Sequence, residues 1–234
     1  NYNEISATTL SDLEKFPNLY NLTISGMSPN LDYTIIGNCK SLSTLEIRYC
    51  NISDISFVES MDSLRYVYLS GNQIKDFSVL KGKNIEGLYI SNNPGSDVTD
   101  LVAGMHTLMY LEVNTSQVSD FRALQSSNLT DLNVHRDTND IDLEGIGCIS
   151  SLVSLYISTS NDNYNESYEY LIAKDTTPLT KLTNLYSLSI YGIQDANMIG
   201  NVTKLKNLTD LSIGSCGIQD PEAAMAQISG ALPN

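Results

Sequence analysis

A curved α/β solenoid, with a parallel β-sheet on its concave face, is the fold class the sequence predicts. Three observations carry that prediction. First, a six-residue pattern of an apolar residue, two variable residues, Leu or Val, one variable residue and an aliphatic recurs nine times. It begins at Leu19, Leu42, Leu64, Ile85, Leu108, Leu129, Leu152, Leu185 and Leu208, in steps of 21 to 23 residues broken by a single step of 33. Second, all 27 defining positions are aliphatic, including Leu22 and Ile24 in the first copy and Leu211 and Ile213 in the last. Third, polar residues alternate with them, which is the period-two signature of a strand with one buried face. One such strand cannot bury its face alone, so the copies must stack to share a core.

Composition fits this picture and excludes other classes. Of 234 residues, 41% are hydrophobic and 17% charged, which suits a folded chain with a sizeable core. The net charge of −14 argues against binding along a nucleic-acid backbone. No run of about 18 apolar residues is present to span a membrane. The sequence opens at Asn1 without a basic or apolar leader, so a piece of a longer product with any signal removed is expected.

Residues 1–18 are expected to form an N-terminal cap or a truncated repeat. Leu10, Leu13 and Phe16 repeat the spacing of Ile55, Val58 and Met61, and Ser11 with Glu14 fits a capping box. Residues 19–220 form the predicted array. Three residues before most pattern starts lies a further core column, containing Phe16, Cys39, Met61, Met105, Ile149, Leu182 and Leu205. After the strands a second signature appears, as in Ile52-Ser53-Asp54, Ile74-Lys75-Asp76, Val98-Thr99-Asp100, Val118-Ser119-Asp120 and Ile218-Gln219-Asp220. Its aspartate is read as the N-cap of a short helical turn, accepting from orphan backbone N–H groups. The long step holds an insertion at 161–177 in which Tyr168, Leu171 and Ile172 share a helical face. Asp220-Pro221-Glu222 then opens a capping helix over residues 221–234.

The LxxLxI pattern, an Asn or Cys position and IxDxxxL at about 22 residues together resemble the leucine-rich repeats of bacterial internalin-type surface proteins. Leu64, Val67, Leu69, Asn72, Ile74, Asp76, Phe77 and Leu80 carry the resemblance most fully. It covers roughly residues 10 to 220 and implies a secreted or surface-presented binding protein. The Asn position departs from the pattern, being filled by Cys50, Asn72, Asn93, Ser116, Asp137 and Cys216.

Little in the sequence points to catalysis. The four cysteines lie apart, without a CxxC, and read as small core residues. Cys50 and Cys216 are seven repeats distant, too far to bridge. His106 and His135 are the only histidines, and no nucleophile elbow, zinc motif or phosphate loop occurs. Asp137–Asp142 departs from a calcium loop at Ile141 and Asp142. No enzyme activity, metal or cofactor is expected.

The third, fifth and seventh positions of each strand should face away from the core. Six of 14 tyrosines fall on these 27 positions, where even scattering places about two. Tyr66, Tyr68, Tyr89 and Tyr110 occupy consecutive repeats and should touch across strands. Glu46, Arg48 and Glu112 flank them, Tyr156 lies further along, and so does His135 with Arg136. Tyrosine joins a flat apolar ring to a hydroxyl, which suits protein hot spots and sugar stacking. The expected function is a non-catalytic module, a monomer, that binds a protein or glycan on this concave face. An intracellular scaffold or regulatory subunit using the same face is the alternative.

Overall fold

The computed structural model describes residues 10–26, 31–138, 140–159 and 171–232. The chain divides into two compact units, residues 1–96 and 97–234. Each is a stack of leucine-rich repeats with strands on one side and short helical turns on the other.

The first unit holds β1 (Asn21–Ser25), β2 (Thr44–Arg48), β3 (Tyr66–Tyr68) and β4 (Gly87–Tyr89). They pair in parallel and in chain order, which levels Leu22, Leu45, Val67 and Leu88 in one row. Among these, Leu45, Val67 and Leu88 are fully buried. Leu19, Leu22 and Ile24 are half-buried, because β1 has a neighbouring strand on one side only among the described residues. Four 3₁₀ turns, Ser11–Lys15, Tyr33–Asn38, Ser56–Ser60 and Ser78–Leu80, return the chain behind the sheet. Asp32, Asp54 and Asp76 each accept the N–H two residues on, at 3.0, 2.8 and 2.7 Å. That bond starts the turn and holds the Asp76 carboxyl below its ordinary range.

Inside the coil, Asn72 ties four backbone groups together. Its Oδ1 accepts from Cys50 N–H at 3.0 Å and Ile52 N–H at 3.3 Å, while Nδ2 donates to the carbonyls of Ile47 and Leu69 at 2.7 and 2.8 Å. Asn93 repeats the arrangement one coil later. Cys50 fills the slot as a donor, its Sγ reaching the carbonyls of Gly26 and Arg48 at 3.2 Å. Two expectations fail at the N-terminal side. Phe16 is 56% exposed instead of joining the core column. The turn Ser11–Lys15 has Leu10 at its N-cap, so Ser11 does not stand at the position the expected capping box gives it.

The second unit holds α1 (Thr99–Ala103), β5 (Tyr110–Asn114), β6 (Asp131–Arg136), α2 (Leu143–Ile146) and β7 (Ser154–Thr159). It continues with β8 (Ile172–Ala173), β9 (Ser187–Tyr191), β10 (Ile193–Gln194), α3 (Met198–Val202), β11 (Asp210–Gly214) and α4 (Pro221–Ala231). The sheet runs β5-β6-β7-β9-β11, all parallel. Strand β7 pairs directly with β9, so the long step leaves the sheet unbroken. Most of the predicted insertion lies outside the described residues, Tyr168 included. Ile172 is found in a strand, since β8 pairs with β10 beside the main sheet, and the predicted helical face is corrected there.

Two further corrections concern the coil interior. The turn before α1 is capped by Asp97, which accepts from the N–H and hydroxyl of Thr99 at 2.8 and 2.5 Å. Asp100 lies inside the helix and is not the cap. The inward slots assigned to Ser116 and Asp137 belong instead to Gln117 and Arg136, both buried. Gln117 Oε1 accepts from Asn114 N–H at 2.8 Å, and Arg136 Nη1 donates to the Gly192 carbonyl at 2.6 Å. Arg136 therefore does not lie on the open face beside His135. Asp220 Oδ1 accepts from Ala223 N–H at 2.9 Å, and α4 packs beside α3 with Ala224 buried.

Candidate functional site

In the first unit the predicted residues gather around one ring pair. Tyr68 and Tyr89 sit opposite each other in the β3–β4 register, and their rings stack at 4.3 Å with 17° between planes. The Arg48 guanidinium carbon lies 4.8 Å from the Tyr68 centroid and 5.7 Å from that of Tyr89. With the rings 4.3 Å apart, these distances place Arg48 at the flank of the pair, within cation–π reach of both. Arg48 Nε is 3.4 Å from Glu46 Oε1, and Glu46 accepts from Thr23 at 3.3 Å. Arg48 and Glu46 are half-buried and offset each other's charge.

Tyr66 behaves differently. Its hydroxyl donates to Glu86 at 3.0 Å, and its ring packs over Gly87, where an added Cβ would lie 2.7 Å from the ring. Glycine at that register position is what lets the ring bed down on the neighbouring strand. Tyr68 and Tyr89 make the expected ring contact across neighbouring strands.

In the second unit Tyr110, Glu112, His135 and Tyr156 are all half-buried. His135 Nε2 is 3.9 Å from Glu112 Oε1, its Nδ1 is 3.0 Å from Ser158 Oγ, and its ring is 6.1 Å from Tyr156 at 59°. Tyr156 in turn lies 5.9 Å from Tyr191 at 52°. Tyr191 packs over Gly214 and shares a hydrogen bond of 2.5 Å with Ser212. Tyr191 is a contact residue the sequence reading left out of the site. The 33-residue step hides that Tyr156 and Tyr191 are in adjacent repeats, although both stand in outward columns.

Ser158, His135 and Glu112 form a hydroxyl–imidazole–carboxylate series across three strands. Ser158 is only 8% exposed, and the carboxylate is beyond hydrogen-bond length from the ring. The series therefore lacks the reach that nucleophilic attack on a substrate requires. The outward columns also prove narrower than expected. Ser70, Ser91, Asn114 and Ser158, all seventh positions, are buried, because the chain turns into the coil at that point. In each unit the open face is made of the third and fifth positions other than the buried Gly87, with Ser25, Arg48, His135, Tyr191 and Gly214 of the seventh.

Three buried thiols, Cys39, Cys50 and Cys216, have their pKa pushed up by burial, the condition of unreactive core residues. Among the described residues no group of His, Cys, Asp and Glu is placed to hold a metal ion. Among them, too, no helix is long and apolar enough to cross a membrane.

Comparison with known proteins agrees with the geometry. Residues 40–82 match a family model described as leucine-rich repeats in two copies. A comparison with curated protein sequences returned no match. Among solved structures, the chain is similar to the internalin InlF from Listeria monocytogenes, at 25% identity and a TM-score of 0.66, over 95% of this chain and 62% of that one. It is similar to internalin C2 from the same organism at 22% identity and 0.61, over 83% and 80% of the two chains. The plant peptide hormone receptor RGFR1, solved in complex with RGF2, shares 15% identity at 0.52, over 92% and 35%. The chain thus spans less than two thirds of the InlF chain. The class is an α/β leucine-rich-repeat protein of internalin-like architecture. Proteins of this class are in general non-catalytic binding modules.

Proposed function

We propose that the chain is a non-catalytic recognition module that binds a protein through the open, tyrosine-rich face of its sheet. A glycan is the second class of ligand. The module is presented on or secreted from a bacterial cell and acts as a monomer. Residues 19–220 are its repeat array, and α4 closes the last coil, supported by the burial of Ala224.

One observation carries the reading. The stacked Tyr68–Tyr89 pair with Arg48 at its flank is preorganised on an open face, half-buried yet reachable. Tyr and Arg in such settings supply binding energy at low ordering cost. The likeness to internalins supports a surface or secreted setting. The RGFR1 receptor, bound to RGF2, supports a polypeptide as partner.

A panel of extracellular proteins and a glycan array probed with labelled protein tests the proposal. Tyr68→Ala combined with Tyr89→Ala should abolish binding to whatever the panel returns, with Tm changed by only about 4 °C or less. Full binding by the double variant removes the proposal.

A further inference from the structure

Charge is distributed unevenly between the two units. Residues 1–96 carry seven Lys or Arg against ten Asp or Glu, a net of −3; residues 97–234 carry six against seventeen, a net of −11. The open face of the second unit shares this bias. Its third, fifth and seventh positions hold Glu112, Asp131 and Asp210, and none holds Lys or Arg. Arg136 is turned into the core, Lys174 pairs with Asp140, Lys181 lies 3.3 Å from Glu144, and Lys206 donates to the Ala231 carbonyl. In the first unit, by contrast, Glu46 has Arg48 beside it.

The register arranges these groups into a trough. Asp131, Ser154, Ser187 and Asp210 lie level on β6, β7, β9 and β11. Two small hydroxyl side chains thus form a floor between two carboxylates. Three strand spacings of about 4.8 Å set the ends about 14 Å apart. On one side of this row stand the rings of Tyr156 and Tyr191. Val153 and Tyr186, each one residue before the level serine of its repeat, are 41% and 56% exposed.

We infer that this row is a docking surface for an extended polypeptide segment with basic residues four positions apart. Four extended residues span about 14 Å, which matches the distance from Asp131 to Asp210. The peptide backbone crosses the serine floor, where side chains leave room for it. Its Lys or Arg groups meet the two terminal carboxylates, and Glu112, level with Asn133 on the neighbouring strand β5, adds negative charge. Tyr156, Tyr191, Val153 and Tyr186 cover the aliphatic stems of those side chains and offer cation–π contact. This inference rests on the proposed role of the sheet face and adds to it the chemistry of the partner.

The test uses two fluorescein-labelled peptides of about ten residues, identical except for two positions four apart that are Arg in one and Glu in the other. Anisotropy titration of the full chain at about 0.05 M salt should give at least tenfold tighter binding of the Arg peptide. Glu112→Gln, Asp131→Asn and Asp210→Asn together should weaken that binding about tenfold. A matched triple off the face, Asp100→Asn, Glu144→Gln and Glu222→Gln, should change it by less than about threefold. Asp131→Lys should reverse the preference between the peptides. Equal losses in the two triples show general charge attraction and overturn the inference, as does a wild-type chain that fails to discriminate between the peptides. If the peptides fail while Tyr68→Ala with Tyr89→Ala still abolishes binding of a panel protein, the basic-segment assignment falls alone. Retained panel binding by the tyrosine variant together with Arg-peptide binding through Asp131 removes the first-unit contact instead.

Discussion

Asn72 is 1% exposed and satisfies two backbone donors and two backbone acceptors from inside the coil. Truncation to alanine leaves the N–H groups of Cys50 and Ile52 and the carbonyl of Ile47 short of partners in a dry interior, while the Leu69 carbonyl keeps its bond from Asn93. Each orphaned group costs about 1–3 kcal/mol, partly recovered by relaxation, so Asn72→Ala should destabilise by about 2–5 kcal/mol. Urea denaturation measures this directly, and a loss below about 1 kcal/mol contradicts the role assigned to the side chain. The Asn position was legible in the sequence here because Asn72 and Asn93 follow strands that end in the same way. It was misread later for a physical reason. The 3₁₀ turn Thr115–Gln117 shifts the inward slot by one residue, to Gln117. Strand β6 runs six residues, so strict alternation carries Arg136 inward. Spacing alone cannot register either event. The two outcomes place an amide in one coil and a guanidinium in another, where the repeat pattern expects Asn.

Most turns behind the sheet start on a single carboxylate, and α1 shows which one matters. Asp97 accepts from the N–H and hydroxyl of Thr99 and from the hydroxyl of Ser119 at 2.5 Å, joining two successive turns. Burial raises its pKa, but these bonds outweigh that effect and hold it below the ordinary value. Asp100, which the repeating signature singles out, lies within the helix and is exposed. Asp97→Ala should therefore cost about 1–2 kcal/mol and Asp100→Ala less than about 0.5, compared by thermal melts of the two variants. The reverse order restores Asp100 as the cap. The strands were easier to read than the turns. Every aliphatic triplet falls where a strand forms or begins, because burial of one face leaves a period of two in the sequence. The candidate face was legible only in part. Its tyrosine columns are visible in the sequence, but the bedding of Tyr66 on Gly87 and of Tyr191 on Gly214 depends on which residue lies level on the next strand.

At the scale of the whole molecule, charge and hydrogen-bonded carboxylates act on stability in opposite directions as pH falls. The chain carries −14 at pH 7 with a pI near 4.3, so its compact state is strained by self-repulsion at neutral pH. The net charge falls toward zero as pH drops from neutral toward the pI near 4.3, which relieves that repulsion and should raise Tm. Added salt at neutral pH should raise it as well, by screening the same charges. The opposing effect comes from Asp76, Asp97, Asp140 and Asp195, whose carboxyls sit below their ordinary value of 3.8. For Asp140 the main cause is its bond to Lys174; for Asp195 the bonds from Thr176 and Asn197 overcome the cost of burial. A group with a depressed folded pKa contributes its full stability above the unfolded value and loses it as pH falls through the folded one. The loss therefore begins near pH 3.8 and deepens below it. Calorimetry across this range should show Tm passing through a maximum between about pH 4 and 6, then dropping steeply in acid. A Tm that keeps rising as pH falls below 3.8 means that the aspartates capping the turns, Asp97 included, add nothing to the fold.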